Sequence, residues 1–261
     1  MEVNFGQVAN YYAKFRNDLP NELIESLKTR GIDFSNQKVI DLGAGTGVLT
    51  RVLKKNGAMV LGIEPSTELI QVAKEMDKLE GYEIEYIHTY AEEIPLPDQT
   101  VDIVTAFRAW HWFDTKKVLD EVKRILKPNG TLLVMDSGFV VNRKVVKDTL
   151  EIIQRNMPDG KLKAAGAKSK SKQRIIGFPV EWFQEWQEYG FDLTDTYKFY
   201  YHVTFTNEEW CGRIGSVSWL ASFNEEKRNK VLEEIYSYLE KEYQGVLHDI
   251  QHNCSIAILK L

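Results

Sequence analysis

The segment 39–51, which reads VIDLGAGTGVLTR, carries the residues of this chain that are best suited to binding a cofactor. Its first apolar residues fit a strand buried on both faces, and Asp41 stands at the end of that strand. Gly43, Gly45 and Gly47 allow the backbone to turn sharply and to approach a ligand closely. A helix that follows such a turn presents free amide groups in its first turn. The pattern therefore predicts a cofactor-binding turn.

The spacing of these glycines differs from that of a dinucleotide-binding fingerprint. That fingerprint reads G-x-G-x-x-G, and Val48 stands where its third glycine is required. A pyrophosphate is therefore not the expected ligand. Glu64 follows the second predicted strand, seventeen residues beyond Gly47, and Pro65 comes next in the phrase GIEPS. A carboxylate at this position can accept hydrogen bonds from both hydroxyls of a ribose.

A second group of polar residues follows the third predicted strand. Tyr90, Ala91 and Glu92 begin the phrase YAEEIPLPD, beside the apolar Ile94. A backbone amide and a polar side chain at this point can recognise the edge of an adenine ring. The segment is therefore expected to hold the base of a nucleoside.

The phrase AFRAWHWFD, which follows the fourth predicted strand, holds the residues suited to acting on a substrate. His111 can deprotonate an oxygen or nitrogen nucleophile, or only orient it; a packed, hydrogen-bonded histidine is the alternative. Arg108 suits the binding of a carboxylate, with a structural salt bridge as its alternative role. Trp110 and Trp112 flank His111 and fit the wall of an aromatic pocket. We interpret this phrase as the substrate side of the site.

These residues need a parallel, doubly wound α/β sheet to bring them together, because ligands of such sheets bind beyond the carboxyl ends of the strands. Strand-like runs alternate with helical patterns in the first half of the chain, as this fold requires. The predicted strands are 38–42, 58–63, 83–88, 101–107 and 131–136. The predicted helices are 46–56, 66–77 and 114–126, with Ser66 and Asp114 as N-caps and Pro128, Asn129 and Gly130 as the stop after the third.

The sequence changes in character after about residue 137. A further helix is expected at 145–156. Residues 159–172 are rich in Gly, Ala, Ser and Lys, which predicts a mobile loop. The lysines of this loop fit a solvated face, and attraction of an anionic substrate is the alternative.

Two strands are expected near the end of the chain, at 197–205 and 254–261. They fit a hairpin interrupted by a helical insertion that lies over the cofactor edge of the sheet. Within the insertion, Thr206 and Glu209 fit a capping box, and 224–243 fits a charged helix. Most of the late aromatic residues are expected in the core, with some lining a substrate cavity.

Composition excludes several classes of protein. The 261 residues include 33 basic and 38 acidic side chains, and this net charge of −5 argues against nucleic-acid binding. Cys211 and Cys254 are too few for a disulfide framework or a zinc site, which favours a reducing compartment. No signal peptide or membrane span is expected, and no cluster of residues has metal-ligand spacing. We therefore expect a cytoplasmic protein with neither metal nor membrane partner, in an oligomeric state that the sequence leaves open.

The motifs together resemble a known family. DLGAGTG, GIEPS, AEEIPLPD, VDIVTAF and EVKRILKPNGTLLV occur in the order found in class I S-adenosylmethionine-dependent methyltransferases. Over residues 5–136 the chain resembles the type 11, small-molecule branch related to ubiquinone-biosynthesis methyltransferases. The phrase AWHWFD resembles trans-aconitate and related methyltransferases. The resemblance implies a Rossmann-like, seven-stranded, mostly parallel sheet with an antiparallel last strand, helices on both faces and a helical cap.

The resemblance also implies roles for individual residues. The backbone of Gly43, Ala44 and Gly45 would pass the methionine part of S-adenosylmethionine, and Phe107 would lie beside the same part. Glu64 would hold the ribose.

The adenine side of the implied site departs from the family pattern. The Ala91 amide would contact the adenine. Many relatives have Asp where this chain has Tyr90, so Glu92 or a backbone carbonyl is the candidate for the missing contact. In the phrase FGQVANYYAKFRNDLP, Tyr12 and Arg16 match residues that close over the cofactor, and Arg16 can pair with the cofactor carboxylate.

These inferences predict a single methyltransferase domain that transfers a methyl group to an oxygen, a nitrogen or a carboxylate oxygen of a small molecule. Two other functions stay open: a cofactor-binding module without catalysis, and a nicotinamide-dependent oxidoreductase, which Val48 argues against. The acceptor is expected between the AWHWF segment and the cap. The expected parts are an N-terminal lid (1–36), a cofactor-binding core (37–138), a helix with the mobile loop (139–196), and the last strands (197–261) with the insertion at about 207–250.

Overall fold

The structure is a computed structural model that describes Phe15, residues 19–164 and residues 166–261. Tyr12 and Arg16, which the family resemblance places over the cofactor, lie outside the described residues. The chain divides into two compact units. In the described residues, the first unit comprises 19–137, 166–199 and 254–261, and the second comprises 138–164 and 200–253 together with Phe15.

The first unit holds the alternating strands and helices that the sequence predicts. Its strands, or the parts of them that belong to it, are β1 (Lys38–Leu42), β2 (Met59–Glu64), β3 (Glu85–His88), β4 (Val101–Phe107), β5 (Leu126–Phe139), β6 (Arg174–Ile175), β7 (Phe178–Pro179), β8 (Asp192–Phe205) and β9 (His248–Lys260). Its helices are α1 (Leu23–Lys28), α2 (Val48–Lys55), α3 (Thr67–Leu79), α4 (Thr115–Ile125) and α6 (Val180–Glu188). Short 3-10 turns occur at Trp110–Trp112 and Gly166–Ser169.

Seven strands form one sheet in the order β3-β2-β1-β4-β5-β9-β8, and β6 and β7 form a separate two-stranded sheet. The pairs β1–β2, β1–β4, β2–β3 and β4–β5 are parallel. The last strand, β9, is antiparallel: the Thr194 hydroxyl donates to the Ile258 carbonyl, and the Thr196 hydroxyl donates to the Ile256 carbonyl. The predicted mostly parallel, Rossmann-like sheet with an antiparallel last strand is thus confirmed.

Burial explains why the central strands form where they do. Four of the five residues of β1 are buried, as expected for a strand covered on both faces. The hydrophobic core of this unit packs side chains of the central strands against α4 and α6. At the carboxyl end of β2, the Ser66 hydroxyl accepts a hydrogen bond from the Leu69 amide at 3.2 Å and caps α3 as predicted. The Ser66 cap, two residues after the end of β2, thus sets the start of α3.

The second unit is mainly helical. Its helices are α5 (Lys144–Asn156), α7 (Asn207–Gly215), α8 (Ser218–Ala221) and α9 (Glu225–Glu242). The predicted capping box is present at the start of α7, where Thr206 and Glu209 each accept a hydrogen bond from the backbone amide of the other. Its core includes Trp210, Ile214 and Ile235. None of the helices in the described part of the chain is both long enough and apolar enough to cross a membrane.

Several predicted boundaries differ from the structure. β5 begins at Leu126 and includes the Pro128–Gly130 stretch that was predicted as a stop. β8 and β9 begin well before the predicted positions 197 and 254. Residues 159–172, predicted as a loop throughout, include the 3-10 turn Gly166–Ser169.

Candidate active site

The glycine-rich turn leaves the carboxyl end of β1 in a conformation that requires glycine. Gly43, Gly45 and Gly47 all have positive φ values, of 65°, 57° and 75°. A Cβ atom on Gly43 would lie 2.6 Å from the Cβ of Ala109, so a side chain there would collide with the segment that follows β4. The turn is therefore held close to the AFRAWHWFD segment.

The backbone of this turn is anchored to the end of β2. The amides of Gly43 and Ala44 donate to the Ile63 carbonyl at 2.8 and 3.0 Å. Ala44 itself is 9% exposed. These bonds place the predicted methionine-binding turn beside Glu64.

Glu64 lies against the glycine-rich turn, and its binding to a ribose stays a prediction. Its two carboxylate oxygens accept hydrogen bonds from the amides of Gly45 and Ser66, at 2.9 and 3.0 Å. Burial raises the pKa of Glu64, and these two amide hydrogen bonds oppose that rise. Each carboxylate oxygen has a second lone pair, so the group retains acceptor capacity for a ligand. The adjacent Pro65 carbonyl accepts a hydrogen bond from Nε2 of His88 at 2.9 Å.

Asp41 precedes the turn on β1, and its side chain connects three elements through hydrogen bonds. Its carboxylate oxygens accept hydrogen bonds from the hydroxyls of Thr50 on α2 and Thr105 on β4, at 2.7 and 2.8 Å. The residue is 2% exposed, and burial raises its pKa to about 6. The structure thus places this predicted cofactor-binding residue where it joins β1 to α2 and β4.

The segment after β3 separates its three predicted residues. Ala91 is buried at 3% exposure, whereas the side chain of Tyr90 is exposed. The Glu92 carboxylate accepts a hydrogen bond from the Asp114 amide at 2.8 Å. Glu92 therefore fastens this segment to the start of α4, and contact of these residues with adenine stays a prediction.

Arg108 follows β4 directly and takes an unusual backbone conformation. Its φ is 58°, which is costly for a residue with a side chain and recurs at functional sites. Its guanidinium donates from Nε and Nη2 to the Ser137 hydroxyl at the end of β5, and its Cζ lies 4.6 Å from the centre of the Phe107 ring. At 8% exposure, Arg108 joins the carboxyl ends of β4 and β5.

The two tryptophans of the 3-10 turn Trp110–Trp112 differ in burial. Trp110 is 2% exposed and packs edge-on against Phe113 and Trp186, with ring centres 5.9 and 6.4 Å apart. Trp112 is 38% exposed, and its ring centre lies 4.9 Å from that of His111. Trp110 thus lies in the core of this unit, and contact with a substrate stays a prediction for Trp110, as it does for Trp112 and His111.

Two further residues lie at this edge of the sheet: Asp136, for which the sequence predicted no role, and Lys168, one of the loop lysines for which attraction of an anionic substrate was the alternative role. Asp136 at the end of β5 forms an ion pair with Lys168. Burial raises the pKa of Asp136, but the charges of Lys168, His111 and Arg108 outweigh that effect and hold the pKa below its usual value. Like the other candidates, Asp136 stands near the carboxyl end of a strand, so this position could have been used to predict it as a site residue. For Lys168 the sequence offered no signal beyond the composition of its loop.

The site therefore consists of a glycine-rich turn with an acidic residue at the end of the next strand, and a cationic segment after the fourth strand. The sheet order and the antiparallel last strand match the class I methyltransferase fold. The sequence profile of the methyltransferase domain family (Methyltransf_11) matches residues 40–134, which include the turn, Glu64 and the segment after β4.

Characterised and uncharacterised relatives share this part of the chain. An uncharacterized methyltransferase of Mycobacterium tuberculosis is 36% identical over 161 residues, which are 60% of this chain and 61% of that protein. The demethylmenaquinone methyltransferase of Thermus thermophilus is 32% identical over 144 residues, covering 51% and 63%. The alignments thus span about three fifths of these relatives.

Solved structures extend the similarity in fold over most of the chain. A SAM-dependent methyltransferase from Aquifex aeolicus matches with a TM-score of 0.52 at 19% identity, covering 75% of this chain and 92% of that one. The [4+2]-cyclase SpnF matches with a TM-score of 0.56 at 15% identity, covering 98% and 93%. Residues 40–134 thus match the methyltransferase domain family, similar methyltransferases share this part of the chain, and the fold is that of class I methyltransferases.

Proposed function

We propose that this protein binds S-adenosylmethionine and transfers its methyl group to a small molecule. The observation that carries the proposal is the Glu64 carboxylate, held against the glycine-rich turn by the Gly45 amide. An acidic residue at the end of β2 is suited to binding a ribose, because the glycine-rich turn beside it lets the backbone come close to the ligand. The demethylmenaquinone methyltransferase among the relatives supports a small-molecule acceptor.

The residues of the turn fit this cofactor. Gly43 and Gly45 carry no side chain, and their positive φ values form the sharp turn past which the methionine part would lie. Glu64 retains lone pairs for ribose hydroxyls although both its oxygens already accept amide hydrogen bonds. S-adenosylmethionine supplies an activated methyl group, so this chain has mainly to hold the two reactants in line. Orientation of this kind contributes on the order of 7 to 11 kcal/mol to lowering a barrier.

On the acceptor side, His111 and Arg108 are the proposed catalytic residues. His111 orients an oxygen or nitrogen acceptor or removes its proton, and its position beside the exposed Trp112 suits that role. Arg108 supplies a fixed positive charge, because Ser137 holds its guanidinium at the end of β5. Cys211 and Cys254 are both buried free thiols, which suits the cytoplasmic location that we include in the proposal.

Calorimetric titration tests the cofactor half of the proposal. We expect S-adenosylmethionine and S-adenosylhomocysteine to bind and NAD not to bind. Glu64→Gln should weaken both adenosyl ligands by roughly 10- to 100-fold, as expected for losing hydrogen bonds to a charged group. Glu75→Gln, which changes an exposed carboxylate on α3, serves as the matched control and should bind as the unaltered protein does. Tight binding of NAD, or equal binding by the two variants, would reject the proposed cofactor site.

A second candidate function is adenosyl binding without methyl transfer. The [4+2]-cyclase among the structures of this fold favours keeping it, because that protein has the same fold and a different reaction in its name. Detection of S-adenosylhomocysteine in the presence of candidate acceptors separates the two functions. Cofactor binding with no product for any acceptor would favour the second.

A further inference from the structure

The 3-10 turn Gly166–Ser169 lies directly against the His111 backbone. A Cβ atom on Gly166 would lie 2.0 Å from the His111 carbonyl oxygen, and Gly166 has a φ of 52°. Only glycine fits this approach, because any other residue would collide with the carbonyl and would also be strained. The loop predicted as mobile is therefore docked on the acceptor side of the candidate site at this point.

Docking of the turn brings one lysine of the loop into the site. Lys168 forms an ion pair with Asp136, and its side chain is 11% exposed. The remaining lysines of the loop are exposed, as expected for a solvated face: Lys161, Lys163, Lys170 and Lys172. Lys168 therefore differs from its neighbours in position as well as in partner.

The ammonium group of Lys168 retains donors after pairing with Asp136. A lysine ammonium carries three N–H donors, and Asp136 is its one side-chain partner among the residues that the structure describes. Lys168, His111 and Arg108 all act electrostatically on Asp136. Lys168 thus contacts the Asp136 carboxylate directly, and His111 and Arg108 add their charges to its surroundings.

We infer that Lys168 is an acceptor-binding residue and that the acceptor carries a carboxylate. This inference rests on the proposed methyl-transfer site, whose acceptor side it specifies. Lys168 donates one hydrogen bond to Asp136, which fixes its position, and donates another to the acceptor carboxylate. A carboxylate gains most from such a donor, because hydrogen bonds between two charged groups are about twice as strong as neutral ones.

The two members of the ion pair should then affect acceptor binding in opposite directions. Lys168 attracts a carboxylate, whereas the negative charge of Asp136 repels it. If Lys168 only anchored the loop to β5, removing either partner would break the same ion pair and would have the same effect. The sign of the effect therefore distinguishes recognition from anchoring.

The experiment uses protein saturated with S-adenosylhomocysteine, titrated calorimetrically with three carboxylates and their amides: benzoate and benzamide, cinnamate and cinnamamide, hexanoate and hexanamide. We expect at least one carboxylate to bind more tightly than its amide. For that carboxylate, Lys168→Met should weaken binding at least about tenfold. Asp136→Asn should strengthen it, because the Asn side-chain oxygen still accepts the hydrogen bond that positions Lys168 while the repelling negative charge is removed. Lys170→Met, on an exposed lysine of the same loop, should leave binding unchanged.

Several results would overturn the inference. These are weaker binding in both Lys168→Met and Asp136→Asn, no change in Lys168→Met, or no preference for any carboxylate over its amide. The melting temperature of each variant shows whether it is folded, and the double variant should bind more tightly than Lys168→Met alone. Failure to bind S-adenosylhomocysteine in the first step would instead refute the proposed function itself.

Discussion

Asp41 allows a quantitative test of how the glycine-rich turn is supported. Its carboxylate is 2% exposed and accepts hydrogen bonds from Thr50 and Thr105, yet burial raises its pKa to about 6. A raised carboxyl pKa means that the folded protein binds a proton more tightly than the unfolded chain does. Ionised Asp41 is therefore a cost to folding, and Asp41→Asn removes that cost.

The magnitude follows from the two pKa values. The shift from 3.8 to about 6 is roughly 2.2 pH units, and at about 1.36 kcal/mol per unit it amounts to about 3 kcal/mol. Stability from this group is present below pH 3.8 and is lost as the pH rises through 6. About 2.5 kcal/mol of the loss falls between pH 4 and pH 8. The variant should therefore gain about that much stability relative to the unaltered protein as the pH rises.

Urea unfolding of both proteins at pH 4 and pH 8 measures this difference directly. Asp102→Asn is a control of opposite sign: burial raises the pKa of Asp102, but its bonds to Lys127 and to the Lys38 amide hold it below its usual value. Its stabilising effect is present above the normal pKa and is lost as the pH falls, so this variant should be destabilised more at pH 8 than at pH 4. An Asp41→Asn variant whose relative stability falls between pH 4 and pH 8 would refute the reasoning.

Two substitutions with matched controls test the turn and the aromatic segment. Gly43→Ala should abolish adenosyl binding and lower the melting temperature, because its Cβ would meet Ala109 at 2.6 Å; Gly81→Ala, with a φ of 76° and open space, should cost only about 1 to 2 kcal/mol of unfolding free energy. Equal losses in urea unfolding would contradict the close approach. Trp110→Ala should cost about 3 to 5 kcal/mol and Trp112→Ala about 0.5 kcal/mol, since only Trp110 is in the core. Similar costs would show that Trp110 is not a core residue.

The central strands could be predicted from the sequence because buried strands appear there as short runs of apolar residues. The bounds of β1 and β4 match the prediction, and both strands are almost wholly buried. The early part of β8 is largely exposed and polar, so no apolar pattern marked it. Pairing with β9 holds it there, through bonds such as that from Thr194 to the Ile258 carbonyl, and such pairing is not visible in either segment alone.

The candidate site was predicted in part for the same reason. Glu64 is the last residue of β2 and Arg108 directly follows β4, so the position of each strand fixes the position of the residue. The opposite orientations of Trp110 and Trp112 depend on the geometry of a 3-10 turn, which the sequence did not indicate. Lys168 reaches Asp136 because its own turn, Gly166–Ser169, packs against the His111 backbone. This packing joins segments that are far apart in the sequence, so the local residue pattern does not indicate it.

Gly166 also bears on how related chains can be grouped. Because the His111 carbonyl excludes any side chain at this position, a relative with another residue there must route this segment differently. Such a relative can keep the glycine-rich turn and the acidic residue after β2, since neither depends on Gly166. We therefore propose Gly166 and Lys168 as a pair of positions whose residues follow the acceptor carboxylate inferred above, and which can be compared across an alignment separately from the cofactor motifs.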